Sequence, residues 1–168
     1  TVHMLFAFVL IGLLVWIYIN SGEPEPIKVT SGLKTILLAC MILLLVQVVL
    51  GTEVRAAIDR VSDQLLPREN WISSVWAEFV IHRTFSWAVV IFNGVFVVRL
   101  VKTTGQNPLT VSLIVLILLT LLTGAGMAYF AVPAALQPVH LLVATVTFGV
   151  QFLLLLRLRT SQVNKIVN

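Results

Sequence analysis

Apolar residues fall into five long runs along this chain, at positions 2–19, 35–51, 79–100, 109–132 and 139–156. Each holds about the 17–25 residues that carry a helix across roughly 30 Å of hydrocarbon. Lipid offers no partner to an open backbone, so the runs predict helices. The polar segments between them are short except for one, 52–78. There Ile58, Val61 and Leu65 recur at helical spacing among Asp59, Arg60, Ser62 and Asp63. That pattern predicts a short amphipathic helix lying on the membrane surface. Trp71 and Trp76 follow, where indole rings favour the headgroup layer. The segment reads either as a structural lid with interfacial anchors or as part of a site.

The predicted fold is all-α, a polytopic membrane bundle of five transmembrane helices. Residues 1–20 form the first of them, and 21–34, rich in Pro and Gly, a polar linker. Residues 35–157 form a four-helix up-and-down unit with an outer loop at 52–78, and 158–168 a tail.

Composition strengthens this picture. Hydrophobic residues make up 59% of the 168 and charged ones only 11%, against about 25% charged in soluble domains. Water is excluded as the main solvent. The first run lacks a basic leader and a small-residue cleavage site, so it is no cleavable signal peptide. The chain opens at Thr1, already inside a span, which creates the expectation of further sequence upstream. The single cysteine, Cys40, lies mid-span and reads as a packing residue.

The net charge of +4 reports orientation rather than a nucleic-acid partner. Alternating spans put Lys28, Lys34, Arg99, Lys102, Arg157, Arg159 and Lys165 on one side, with Glu23 and Glu25. The other side holds Arg55, Arg60, Arg68 and Arg83, with Glu53, Asp59, Asp63, Glu69 and Glu78. The excess of basic residues assigns the first set to the cytoplasm.

Candidate chemistry rests on three histidines, His3, His82 and His140. They begin the first, third and fifth spans, which run in the same direction, so all three lie near the outer face. A polar residue inside a span is a functional candidate; the alternative for any one alone is an interfacial side chain. Four residues after each comes a small one, Ala7, Ser86 and Ala144. Positions i and i+4 share a helix face, so each predicts an open patch beside an imidazole, room for a flat macrocycle. Asn93, Thr147 and Gln151 continue the faces of His82 and His140 and should point into the bundle. Gln47 reads as an interhelical hydrogen-bond partner. In an up-and-down unit the third and fifth spans sit diagonally, their axes roughly 11–14 Å apart. That suits two imidazoles on opposite faces of one porphyrin. Zinc fits worse, because it needs three or four clustered ligands and offers only Glu53 and Glu78 nearby. Arg83 could pair with a propionate or be an ordinary interfacial cation.

Val2-His3-Met4-Leu5-Phe6-Ala7 reappears as Val139-His140-Leu141-Leu142-Val143-Ala144, and Gly12 and Gly149 extend the match. The fifth span closes a four-helix unit, so the first reads as the closing helix of an earlier one. His3 is then half of a second site whose other half lies in the same polypeptide upstream or in a second subunit. Gly124-Ala125-Gly126 lies deep in a span, without the strand-to-helix setting of a phosphate loop; with Thr120 and Thr123 it reads as a close helix contact.

Gly51-Thr52-Glu53-Val54-Arg55, Ile81-His82-Arg83 and Leu136-Gln137-Pro138-Val139-His140-Leu141-Leu142 resemble the second half of haem A synthases. The order of these motifs resembles spans four to eight of that eight-span family, over essentially the whole chain. The resemblance implies conversion of haem O to haem A by oxidation of a porphyrin methyl to a formyl group, through two hydroxylations and loss of water. It implies haem b on His82 and His140, and the substrate haem O on His3. The second substrate ligand and the catalytic acid would lie upstream of Thr1. It further implies a bacterial cytoplasmic membrane location, with a haem O synthase or a terminal oxidase as partners. Two features depart from the family. The cysteine pair that many members carry in their outer loops is missing from 52–78, which puts a thiol-dependent mechanism in doubt. Glu78 stands four residues before His82, a weak candidate for a catalytic acid against a surface or supporting role.

Three functions therefore stand at the level of sequence. One is a haem A synthase whose haem b unit is supplied by this chain. Another is an electron-transfer cytochrome b-type subunit of a respiratory complex. The third is a structural or assembly subunit that binds no haem.

Overall fold

The computed structural model describes residues 2–22, 26–29, 31–64 and 67–160; for residues 2, 3, 159 and 160 it describes the backbone alone. Six α-helices account for almost all of it: α1 (Val2–Asn20), α2 (Ser31–Ser62), the single turn α3 (Trp71–Ser74), α4 (Trp76–Thr104), α5 (Pro108–Tyr129) and α6 (Leu136–Arg157). Four of them, α2, α4, α5 and α6, are long and apolar enough to cross a membrane; α1 is apolar but shorter over its described part, Met4–Asn20. The all-α membrane architecture expected from the runs is thus present. Bulky side chains such as Phe6, Trp87, Ile91, Leu122 and Leu142 stand exposed on the outer faces, as they must where lipid is the solvent.

Helix boundaries follow local chemistry. Gly105, at φ 73°, ends α4 in the left-handed region that glycine tolerates best. Asn107 then caps α5 by accepting from the Thr110 amide at 3.0 Å, with Pro108 in the first turn, where a missing N–H costs nothing. Past α5 the chain turns through two non-glycine residues at positive φ, Ala131 (52°) and Val132 (53°). Val132 is held there by burial against Ala57, Ile58, Val61 and Val75.

Helices α2 and α4 pack as one antiparallel hairpin, and α5 and α6 as another; α2 also lies along α6, and α5 touches α4 more lightly. This leaves α4 and α6 parallel across the diagonal, as the alternation of spans requires. α1 packs parallel to α6: Phe8 meets Phe148 edge-on at 5.0 Å, and a Cβ on Gly149 would come within 2.8 Å of Ile11. Gly12 and Gly149, related by the sequence repeat, lie on these two facing helices.

Three layers run along the bundle. At one end Leu37, Cys40, Phe96, Leu100, Leu113, Leu154 and Leu158 form the main apolar core; Cys40 is indeed a packing residue. Here Ile27–Val29 and Leu158–Thr160 pair as two short parallel strands, β1 and β2. The segments expected as linker and tail thereby hold one another. The middle is polar and buried: Asn93, Thr147 and Gln151. The histidine end is covered by α3 and by the last turns of α2.

That cover differs from the surface helix expected for 52–78. Ile58 and Val61 belong to α2, which continues unbroken to Ser62, and they are buried under Val75 and Val132 with Trp71, Ile72 and Phe79 alongside. Protein, not lipid, takes up the apolar stripe; periodicity alone cannot tell the two apart. Leu65 lies outside the described residues.

Candidate functional site

His82 lies six residues into α4 and His140 four residues into α6, so both stand near the same end of parallel helices. Their relative height can be read from a buried hydrogen bond. Gln151 Nε2 on α6 donates to Asn93 Oδ1 on α4 at 2.8 Å, and both side chains are essentially inaccessible. Asn93 follows His82 by eleven residues, and Gln151 follows His140 by eleven. Eleven residues are about three turns and a rise of roughly 16 Å. Each histidine therefore shares a face with its amide partner, and the two rings stand level with each other across the diagonal.

Each imidazole rests against a glycine of the long helix before its own, Gly51 on α2 for His82 and Gly124 on α5 for His140. A Cβ on Gly51 would lie 3.2 Å from His82 Cε1 and 3.7 Å from Nδ1; on Gly124 the corresponding values at His140 are 3.3 and 3.7 Å. The two hairpins thus hold their histidines in matched poses. For His82 and His140 the expected openings four residues on are not what lets the rings sit where they do; the ring of His3, beside Ala7, lies outside the described residues. Ala144 is buried with Phe8 and Val48, Ala7 faces outward, and Ser86 turns its hydroxyl to the Arg83 carbonyl at 2.6 Å. Space beside the rings comes from glycines on other helices, a pairing that spacing within one helix cannot reveal.

Hydrogen bonding differs between the two rings. Thr123 Oγ1 lies 2.8 Å from His140 Nδ1. Gln47 Nε2 donates to the His82 carbonyl at 3.1 Å and lies 3.3 Å from His82 Nε2. Gln47 is the interhelical partner expected of it. Thr123 and Gly124, expected only as a helix contact, meet the histidine itself. His82 Nδ1 and Gln47 Oε1 are buried without a hydrogen-bond partner among the described residues.

The remaining candidates are spread around this centre. Arg83 is exposed beside His82 and has no ion-pair partner among the described residues. Glu78 is 3.8 Å from Arg60, and Glu53 is exposed. Among the described residues no three His, Cys, Asp or Glu side chains gather as a metal-binding group. The side chain of His3 lies outside the described residues, so its placement relative to the pair is not defined.

Two level imidazoles on separate helices are a donor set suited to a flat, six-coordinate iron macrocycle. A family model described as cytochrome oxidase assembly protein, COX15-CtaA, matches residues 1–152. The chain belongs to the COX15-CtaA family. This is the haem A synthase family, whose general role is cytochrome oxidase assembly. The matched stretch takes in all six helices but the last turns of α6, and with them both histidines, both glycines, and the Asn93–Gln151 pair. No curated protein and no solved structure matches the chain. As a COX15-CtaA member it is an integral membrane protein.

Proposed function

We propose that this COX15-CtaA protein carries the haem b unit of a haem A synthase, with His82 and His140 as the residues that would hold haem b. The observation that carries the proposal is the level placement of the two rings above the Asn93–Gln151 bond. When bound, haem b supplies one-electron redox chemistry. The chain's own residues do the rest. Gly51 and Gly124 let the imidazoles approach their neighbouring helices. The Asn93–Gln151 bridge ties α4 to α6 below them, so that the distance between the ligands is set. Ligation through His82 Nε2 requires the Gln47 amide to leave that nitrogen while its bond to the His82 carbonyl can stay. Arg83 is suited to a propionate at the mouth of the site.

In this reading His3, on a fifth span formed by α1, binds the substrate haem O, which is oxidised at a methyl group to give haem A. The second substrate ligand and the catalytic acid then belong to an N-terminal unit in the same polypeptide or a second subunit. Glu78, tied to Arg60, serves the outer surface. The histidine end faces the periplasm of a bacterial membrane, and the product passes to a terminal oxidase.

The test is spectroscopic and chemical. Purified protein supplied with haem b should give the Soret and α bands of a six-coordinate bis-imidazole haem. His82→Ala and His140→Ala should each abolish that spectrum. Full absorbance in either variant overturns the ligand assignment. Chromatography of haems extracted from cells making the complete protein should show haem O converted to haem A. An intact bis-histidine spectrum without conversion would instead mark an electron-transfer cytochrome b.

A further inference from the structure

We infer that Thr123 is the positioning residue for His140: its hydroxyl accepts the Nδ1 proton and so presents Nε2, unprotonated, as the iron ligand. The inference rests on the reading of His140 as a haem-holding residue, and goes beyond it to the atom that sets that residue's state.

The argument is one of counting protons. Among the described residues Thr123 Oγ1 has three polar neighbours: the Leu119 carbonyl at 2.8 Å, the Thr120 carbonyl at 3.1 Å and His140 Nδ1 at 2.8 Å. The hydroxyl owns a single proton, and a carbonyl can only accept. If that proton goes to Leu119 O, the hydroxyl's lone pairs are free to accept from Nδ1–H, and two hydrogen bonds form. If it goes to Nδ1 instead, one bond forms and two oxygens face each other at 2.8 Å with no proton between them. The first arrangement wins in a half-buried site, where an unmade hydrogen bond costs most. It fixes His140 as the Nδ1–H tautomer, and the Thr120 backbone beside the ring works in the same direction. The ring's other nitrogen then holds a lone pair, as metal ligation demands.

Gly124, next to Thr123, is what allows this contact. Its missing side chain lets the ring come down on α5, so that the neighbouring hydroxyl reaches Nδ1. His82 lacks the hydroxyl: the backbone of Gln47 stands beside its ring as that of Thr120 stands beside His140, but only the Gln47 side-chain amide is there in place of a threonine, and it addresses Nε2. The two ligands are therefore not equivalent. His140 is preset for iron, with its basicity raised by the hydrogen bond it donates to Thr123; His82 has no hydroxyl in that role.

Thr123→Val keeps the shape and removes the hydroxyl, and Thr123→Ser restores it. Thr145→Val is the control, because among the described residues the Thr145 hydroxyl bonds only the Leu141 carbonyl of its own helix, at 2.9 Å. Haem titration, redox titration and low-temperature EPR of the ferric state are measured on the complete protein in detergent. Thr123→Val should weaken haem retention about tenfold, at the lower edge of what losing such a partner does to a metal ligand. It should raise the midpoint potential, since a less basic imidazole favours ferric iron less, and shift the low-spin g values. Thr123→Ser should return all three toward wild type, and Thr145→Val should leave them unchanged. Thermal melting of the variants shows that they fold alike. If Thr123→Val binds haem with wild-type affinity, potential and g values, the inference falls while the ligand assignment stands. If wild-type protein shows no bis-imidazole spectrum, the ligand assignment falls first, and the inference with it.

Discussion

Two glycines, Gly51 and Gly124, decide where the histidines can sit. Glycine inside a helix costs about 1 kcal/mol relative to alanine, so a position that keeps it gains something in return. At Gly124 the return is the approach of His140, whose Cε1 would be only 3.3 Å from a new Cβ. That is closer than a carbon rests comfortably, since contacts between carbons are optimal near 3.5–4.0 Å. Gly124→Ala should therefore separate two properties. Thermal stability of the protein without added haem should stay level or rise by up to about 1 kcal/mol. Haem occupancy at fixed haem concentration should fall as the ring is pushed off Thr123. Equal occupancy in the two proteins, read from the Soret band, would contradict this.

Between elements, the decisive link is the hydrogen bond from Gln151 to Asn93, which joins helices that hardly touch otherwise. Asn93→Leu leaves a buried amide on α6 without its acceptor. Hydrogen bonds between membrane helices are worth about 0.6 kcal/mol on average and up to about 1.7 kcal/mol; full burial places this one toward the upper end. Unfolding in mixed micelles should show a loss of that size. Pairing Asn93→Leu with Gln151→Leu should recover part of it, because no polar group is then stranded. The single variant should also broaden the haem bands, since the spacing of α4 and α6 is no longer held. A second link, between α2 and the turn after α5, was half visible in the sequence. The spacing of Ile58 and Val61 announces an apolar stripe, but a stripe does not name what covers it. Val132, held at positive φ far along the chain, turns out to do so.

For the whole molecule, the main contrast is between side chains that meet protein and side chains that meet lipid. Leu158 is 2% exposed in the core where β1 and β2 pair, whereas Leu122 on α5 is 67% exposed. Leu158→Ala leaves a cavity and should cost about 2–5 kcal/mol. Leu122→Ala exchanges one lipid contact for another and should change stability by less than about 0.5 kcal/mol. Chemical denaturation of the two variants side by side checks both. A soluble protein would never leave so many leucines of the second kind, which is why composition alone excluded water as the solvent.

Hydrophobic run length by itself determined that this protein is a bundle of membrane helices, since only a helix satisfies its own backbone in lipid. The same alternation of runs made the spans of His82 and His140 parallel, and the equal eleven-residue steps to Asn93 and Gln151 were there to be read. Only the tertiary structure decided which groups touch the rings. Gly51 with Gln47, and Thr123 with Gly124, reach them from other helices. The rotation of one helix about its axis against the next is set by packing over the whole bundle, and no spacing within a single segment encodes it.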